Sequence, residues 1–167
     1  MPVRSLIVGL PIFLLVGVSA QAQKKTASVA SPVTVVKAYV DAWNRRDSAA
    51  FDSLIAPQGT HEDIPWAFIG NGPTGVKGFL NAVLSVQPDF NWKITDVMEQ
   101  GSKVAAQWTL TATYTGPDPL GRPVKNVHVS GRGTAMVEVE NGKIKKLIDY
   151  YDAASFFPKP AAPGKQD

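Results

Sequence analysis

A chain of 167 residues without one cysteine and with only two histidines leaves no material for thiolate metal sites, cysteine nucleophiles or disulfides, and none for a His-rich zinc centre. Its formal charge of +3 is spread without a basic block or a stripe of cations interleaved with aromatics, which argues against a nucleic-acid partner. The length suits one domain with a sizeable core.

The chain opens with Arg4, an apolar run from Leu6 to Val18, and the small residues Ser19, Ala20 and Ala22. These are the parts of a secretory signal peptide over residues 1–22, cut after Ala22, and the apolar run is short for a membrane span. The alternative, an uncleaved anchor, finds no second apolar run that would fix a topology. The expectation is a secreted or periplasmic protein with no membrane span after cleavage. Residues 23–31 are small and polar and read as a flexible lead-in.

Folded structure is expected over residues 32–155. Val33, Val36, Val40 and Trp43 recur at helical spacing, with Ser31 as N-cap and Pro32 in the first turn, so the first helix runs to about residue 46. Asp47 and Ser48 offer a second cap, and Phe51, Leu54 and Ile55 make a shorter helix ended by Pro57 and Gly59. Residues 60–64 read as a short strand, residues 65–69 as an apolar insert and residues 70–75 as a turn-rich loop. A third helix follows, capped by Thr74, with Val76, Phe79, Leu80, Val83 and Leu84 on its apolar face up to Pro88.

Beyond Pro88 the apolar period falls to two, giving strands at 90–99, 103–114, 124–139 and 143–153. Val104, Ala106, Trp108, Leu110, Ala112 and Tyr114 share one face and Lys103, Gln107, Thr109, Thr111 and Thr113 the other, as in a sheet covered by helices on one side. Asn141-Gly142 tolerates positive φ at both turn positions and closes the last two strands into a tight hairpin. Gly131 and Gly133 suggest a bulge or sharp bend. Residues 156–167, with three prolines, read as a disordered tail.

Candidate chemistry centres on Asp149, which alternation places on one face with Leu147 and Tyr151. A carboxyl in such an apolar setting suits proton exchange; equally, Arg132 or a backbone donor of the neighbouring strand would fix it structurally. His61 and Asp63, two apart on the short strand, point the same way and would meet Asp149 across a pocket, or would stand as solvated groups on a strand edge. Arg132 shares a face with His128, Ser130 and Thr134, directed at the pocket or at an outer ion pair. Trp66 and Phe68 would form the rim or lid of an apolar pocket, with Tyr151 also against the ligand. Asn44 and Asp47 read as a helix end and a cap.

Three segments carry a family resemblance: VVKAYVDAWNRRDSAAFDSLIAP, HEDIPWAFIGNGPTGVKGFLNAV with the following PDFNWKI, and the hairpin GTAMVEVENGKIKKLIDYYD. In order and spacing they resemble the SnoaL-like branch of the nuclear transport factor 2-like superfamily, which also holds limonene epoxide hydrolase and steroid isomerase relatives. The resemblance implies an α+β fold: a cone-shaped α+β barrel, three N-terminal helices packed on a strongly curved, mostly antiparallel sheet that encloses a pocket. It places Asp149 where the cyclases keep their acid/base aspartate, and Ala135 where they commonly have a histidine. HEDIP is similar to a water-holding Y-x-N-x-P segment of the epoxide hydrolases, with His61 for the tyrosine and Asp63 for the asparagine; their Arg-x-Asp partner has no counterpart after Arg132.

Two functions follow as expectations. One is a cofactor-independent acid/base enzyme, of isomerase, cyclase or hydrolase type and needing no metal, that acts on a small apolar molecule through Asp149, His61 and Asp63. The other is a non-catalytic binding protein for a small hydrophobic ligand in the cell envelope. A third expectation is a homodimer formed through the threonine-rich sheet face.

Overall fold

The computed structural model describes residues 30–157, so the leader and most of the lead-in and tail lie outside the described residues. Helix α1, Pro32–Arg45, begins where the Ser31 hydroxyl accepts from the Thr34 amide and ends at Arg46 in the left-handed region, as the periodicity and cap predict. Asp47 then caps a single 3-10 turn, Ser48–Ala50, and α2 is only Phe51–Leu54.

The next strand departs from expectation. β1, Ile55–Asp63, starts directly after α2 and carries Pro57 and Gly59 within it. Its ladder to the neighbouring strand is broken between Ile55 and Thr60, so Pro57 sits where pairing is interrupted. Gly59 passes so close to that neighbour that a Cβ would lie 2.5 Å from the Ile144 carbonyl oxygen. The segment read as an apolar insert and loop contains β2, Phe68–Asn71, hairpinned to β1 through a turn with Ala67 at φ 49°. Helix α3, Gly72–Val86, starts two residues before the expected Thr74 cap, with Asn71 at its N-cap position.

The remaining strands are β3, Asn91–Gln100; β4, Lys103–Pro117; β5, Pro123–Glu140; and β6, Lys143–Tyr151. Among the described residues all six strands form one sheet in the order β2-β1-β6-β5-β4-β3, antiparallel except for the parallel β1 and β6 pair. Asn141 and Gly142 turn at φ 52° and 75°, the left-handed pair that the hairpin requires. The helices lie on one side of this curved sheet, which stays open, and the core fills the space between: Val36, Tyr39, Trp43, Phe51, Leu80, Val104 and Leu147 are buried there.

Two details position the site. Asn44 is more than a helix end: its amide donates to the Trp92 carbonyl at 2.7 Å and its carbonyl accepts from the Trp92 amide at 2.8 Å, which pins α1 to β3 as a strand would. At the other end Asp152 caps a 3-10 turn, Ala153–Phe156, so Phe156 and Phe157 pack against Tyr151, Trp108 and Tyr114 instead of starting a tail.

Candidate active site

Pleat alternation on β1 turns His61 and Asp63 inward, and the parallel register sets His61 beside Leu147 and Asp63 beside Asp149. All three polar residues are buried, at 3 %, 6 % and 4 % exposure for His61, Asp63 and Asp149. None stands on a solvated edge. The residues expected to face one another across a pocket are instead neighbours on adjoining strands.

Burial of so many polar atoms requires partners for each. His61 Nε2 lies 2.8 Å from Asp149 Oδ2, while His61 Nδ1 lies 2.7 Å from the Tyr39 hydroxyl. The other Asp149 oxygen accepts from the Trp108 indole at 3.0 Å. A carboxylate only accepts, which places the imidazole proton on Nε2 and leaves Nδ1 to accept from Tyr39. Complete burial holds the Tyr39 phenol well above its usual pKa, so its hydroxyl keeps the proton that it donates. A directional chain results: Tyr39 to His61 to Asp149, with Trp108 on the far oxygen.

Asp63 belongs to a second group. Both its oxygens accept from the Tyr151 hydroxyl, at 3.0 and 2.8 Å, and Oδ1 also accepts from the Trp66 amide at 3.2 Å. Burial pushes its pKa up from 3.8 to about 6; the Tyr151 hydrogen bond opposes this and the nearby Asp149 charge adds to it. Burial, reinforced by the Asp63 charge, raises the Tyr151 phenol far above its usual value. Two carboxyls thus sit side by side with different donors, the arrangement that divides acid and base roles between like groups.

These groups border a cavity of about 270 Å³. Its walls are otherwise largely aromatic, with Trp43 and Phe79 from the helices, Phe90 from the segment before β3, and Trp92, Trp108, Tyr151 and Phe156 from the sheet and the turn after it. Trp66 and Phe68 both line it, Trp66 part-exposed at 42 % and Phe68 stacked on Phe79 with centroids 4.2 Å apart. The indole nitrogens of Trp43 and Trp92 and the Gln87 carbonyl oxygen, all on lining residues, have no hydrogen-bond partner among the described residues.

Arg132 is a correction. β5 turns Val129 and Ala135 into the core, so alternation sends Arg132 to the exposed outer face, away from the cavity and from Asp149. The anchors that the sequence did not single out are Tyr39 and Trp108. A signal for both existed: each lies on an apolar face yet carries a donor that must find a partner once buried. The histidine that cyclase-like sequences would set at position 135 is met here from the opposite side. Ala135 is the direct cross-strand partner of Asp149 on β5, and His61 reaches the same carboxyl from β1.

The sequence pattern of the SnoaL-like polyketide cyclase family matches residues 33–158. Among solved structures, a protein with a ketosteroid isomerase-like fold from Catenulispora acidiphila, in complex with trimethylamine, is 18% identical with a TM-score of 0.65, covering 76% of this chain and 91% of its own. A SnoaL-like polyketide cyclase from Agrobacterium tumefaciens is 17% identical with a TM-score of 0.63, covering 74% and 92%. An NTF2-like protein of unknown function from Burkholderia pseudomallei is 18% identical with a TM-score of 0.62, covering 75% and 93%. These likenesses establish the cone fold. No curated protein sequence is significantly similar to the chain.

Proposed function

Because this chain belongs to the SnoaL-like polyketide cyclase family, we propose that its cavity is the site of a cofactor-independent acid/base enzyme acting on a small apolar molecule that bears a carbonyl or enol oxygen. The observation that carries this reading is the Asp149 carboxyl, held between two N–H donors beside a second carboxyl in a largely apolar, aromatic-rich cavity.

In this mechanism Asp149 takes a proton from a carbon next to the substrate carbonyl. His61 and Trp108 hold its oxygens in place and leave it lone pairs toward the cavity. Asp63, near half-protonation around pH 6, supplies or shares a proton at the substrate oxygen, with Tyr151 orienting it. The partnerless indole N–H groups of Trp43 and Trp92 offer further donors to a ligand oxygen. Aromatic walls exclude water and hold the apolar body of the substrate.

The test uses 2-tetralone, a carbon acid of suitable size, and follows exchange of its α-hydrogens for deuterium by NMR. The protein should accelerate exchange, and Asp149→Asn should lower the rate by about a hundredfold or more with little change in binding. Equal rates for the two proteins, with binding retained, would leave the cavity as a non-catalytic ligand site.

Export belongs to the same proposal. Residues 1–22 direct the chain out of the cytoplasm, to the periplasm or beyond, and are removed there. So does pairing of two copies through the outer sheet face. One cross-strand row there runs Met98, Ala105, Met136, Ile148, Glu62, Ile69, with Met98, Met136 and Ile69 largely exposed. A row that is apolar on five of its six strands, broken by Glu62, is an uncommon surface for a protein that stays alone.

A further inference from the structure

Gly131 is a glycine for want of space. Its backbone does not adopt positive φ, and the β4 and β5 register runs unbroken through Leu110 with Gly131 and Trp108 with Gly133, so neither a bulge nor a turn demands it. A Cβ added there would lie 1.8 Å from Phe156 Cε1 and 1.9 Å from Cδ1. A side chain at position 131 and the Phe156 ring in its present seat are mutually exclusive.

That ring borders the cavity. It stacks on Tyr151 with centroids 5.0 Å apart at 19° and stands edge-on to Trp108 at 6.3 Å. Phe157, next to it, lines the cavity against Tyr114. Both are carried by the turn after β6, which is held locally through Asp152: its carboxylate accepts from the Ala154 amide and its carbonyl from the Ser155 hydroxyl. A wall built on one short turn and seated on a bare Cα is separable from the sheet that carries Asp149.

We propose that Phe156, seated on Gly131, is the specificity-determining residue of this cavity: it forms the wall that limits how long a ring system can lie against Trp108 and Tyr151. The inference rests on the reading of the cavity as a small-molecule site. It adds that ligand length is set by the turn after β6, whose ring reaches the polar group only through Tyr151. Phe156→Ala removes the wall directly. Gly131→Ala removes it by displacing the ring, so the two changes act through one event.

Binding of 1-naphthol and of 1-hydroxypyrene, read by quenching of tryptophan fluorescence, tests this on the intact chain. Each single variant should shift preference toward 1-hydroxypyrene by about tenfold or more. The double variant should show no further shift, and should be as thermally stable as Phe156→Ala alone because the collision has gone. An unchanged preference in both single variants, or shifts that add in the double variant, would overturn the proposal. Should neither probe bind the unaltered protein, the small-molecule reading fails, and the seat is still decided by NMR. Cross-relaxation between the Phe156 ring and the Trp108 indole should vanish in Gly131→Ala and persist in Ser130→Ala; its survival in Gly131→Ala would refute the displacement.

Discussion

Asp63 and Asp149 are the same residue type on adjoining strands, yet each answers to different neighbours. Asp63 loses solvent and gains a phenol and one amide, and its pKa rises from 3.8 to about 6. A carboxyl raised in the folded state favours folding most at low pH, below the unfolded value, and that contribution is lost as pH climbs through the folded value. The gap between 3.8 and about 6 is worth roughly 3 kcal/mol. Asp63→Asn should therefore gain up to about 3 kcal/mol over the unaltered protein above pH 7, with the advantage fading toward pH 4. Denaturant melts at several pH values check this. A constant difference across that range would show that desolvation does not govern Asp63. Alternation alone puts His61 with Asp63, and Asp149 with Leu147 and Tyr151, on shared faces, but leaves open whether the first pair points inward or stands on a solvated edge. Nor is their pairing legible in the sequence, because which carboxyl meets the imidazole depends on the parallel β1 and β6 register, to which no local pattern points.

Elements whose signals are local are legible in the sequence: α1 from its cap and periodicity, the final hairpin from Asn141-Gly142, and β4 from its alternating faces. β1 is longer than its sequence suggests because Pro57 and Gly59 normally stop an element, whereas here the broken ladder spares Pro57 a donor and close approach to Ile144 requires Gly59. β2 was hidden because its turn uses Ala67 at φ 49°, with no glycine to mark it. Phe156 and Phe157 looked like tail because prolines follow, and only packing against distant β4 and β5 residues places them. Asn44 belongs to this scale too, since it joins two elements. Asn44→Ala removes both hydrogen bonds to the Trp92 backbone and should cost about 2 kcal/mol of stability, measured by chemical denaturation. A loss within error would mean that α1 is held by its apolar face alone.

At the scale of the molecule, the two faces of the sheet serve different ends: the inner one encloses the cavity and the outer one carries the apolar row. Sedimentation of the described domain should give a dimer, and Met136→Glu, at the centre of that row, should shift it to monomer by at least about tenfold in dissociation constant without loss of fold. A monomer at high concentration would rule out this pairing. For the leader, mass spectrometry of the protein produced in a bacterial host should find a chain starting at Gln23 outside the cytoplasm; an intact Met1 in the membrane fraction would indicate an anchor.

His61 and Asp149 are 88 positions apart in the chain, as are Asp63 and Tyr151. Their strands run parallel, a pairing that no turn can template and that waits for the closing of a long loop. β6 is also the last strand of the sheet among the described residues. No nascent or truncated form lacking it can bring the two carboxyls together, whatever else has folded. The two carboxyls thus meet only once β6 is in place, and a chain threaded across a membrane in an extended state would carry them apart until that strand had arrived.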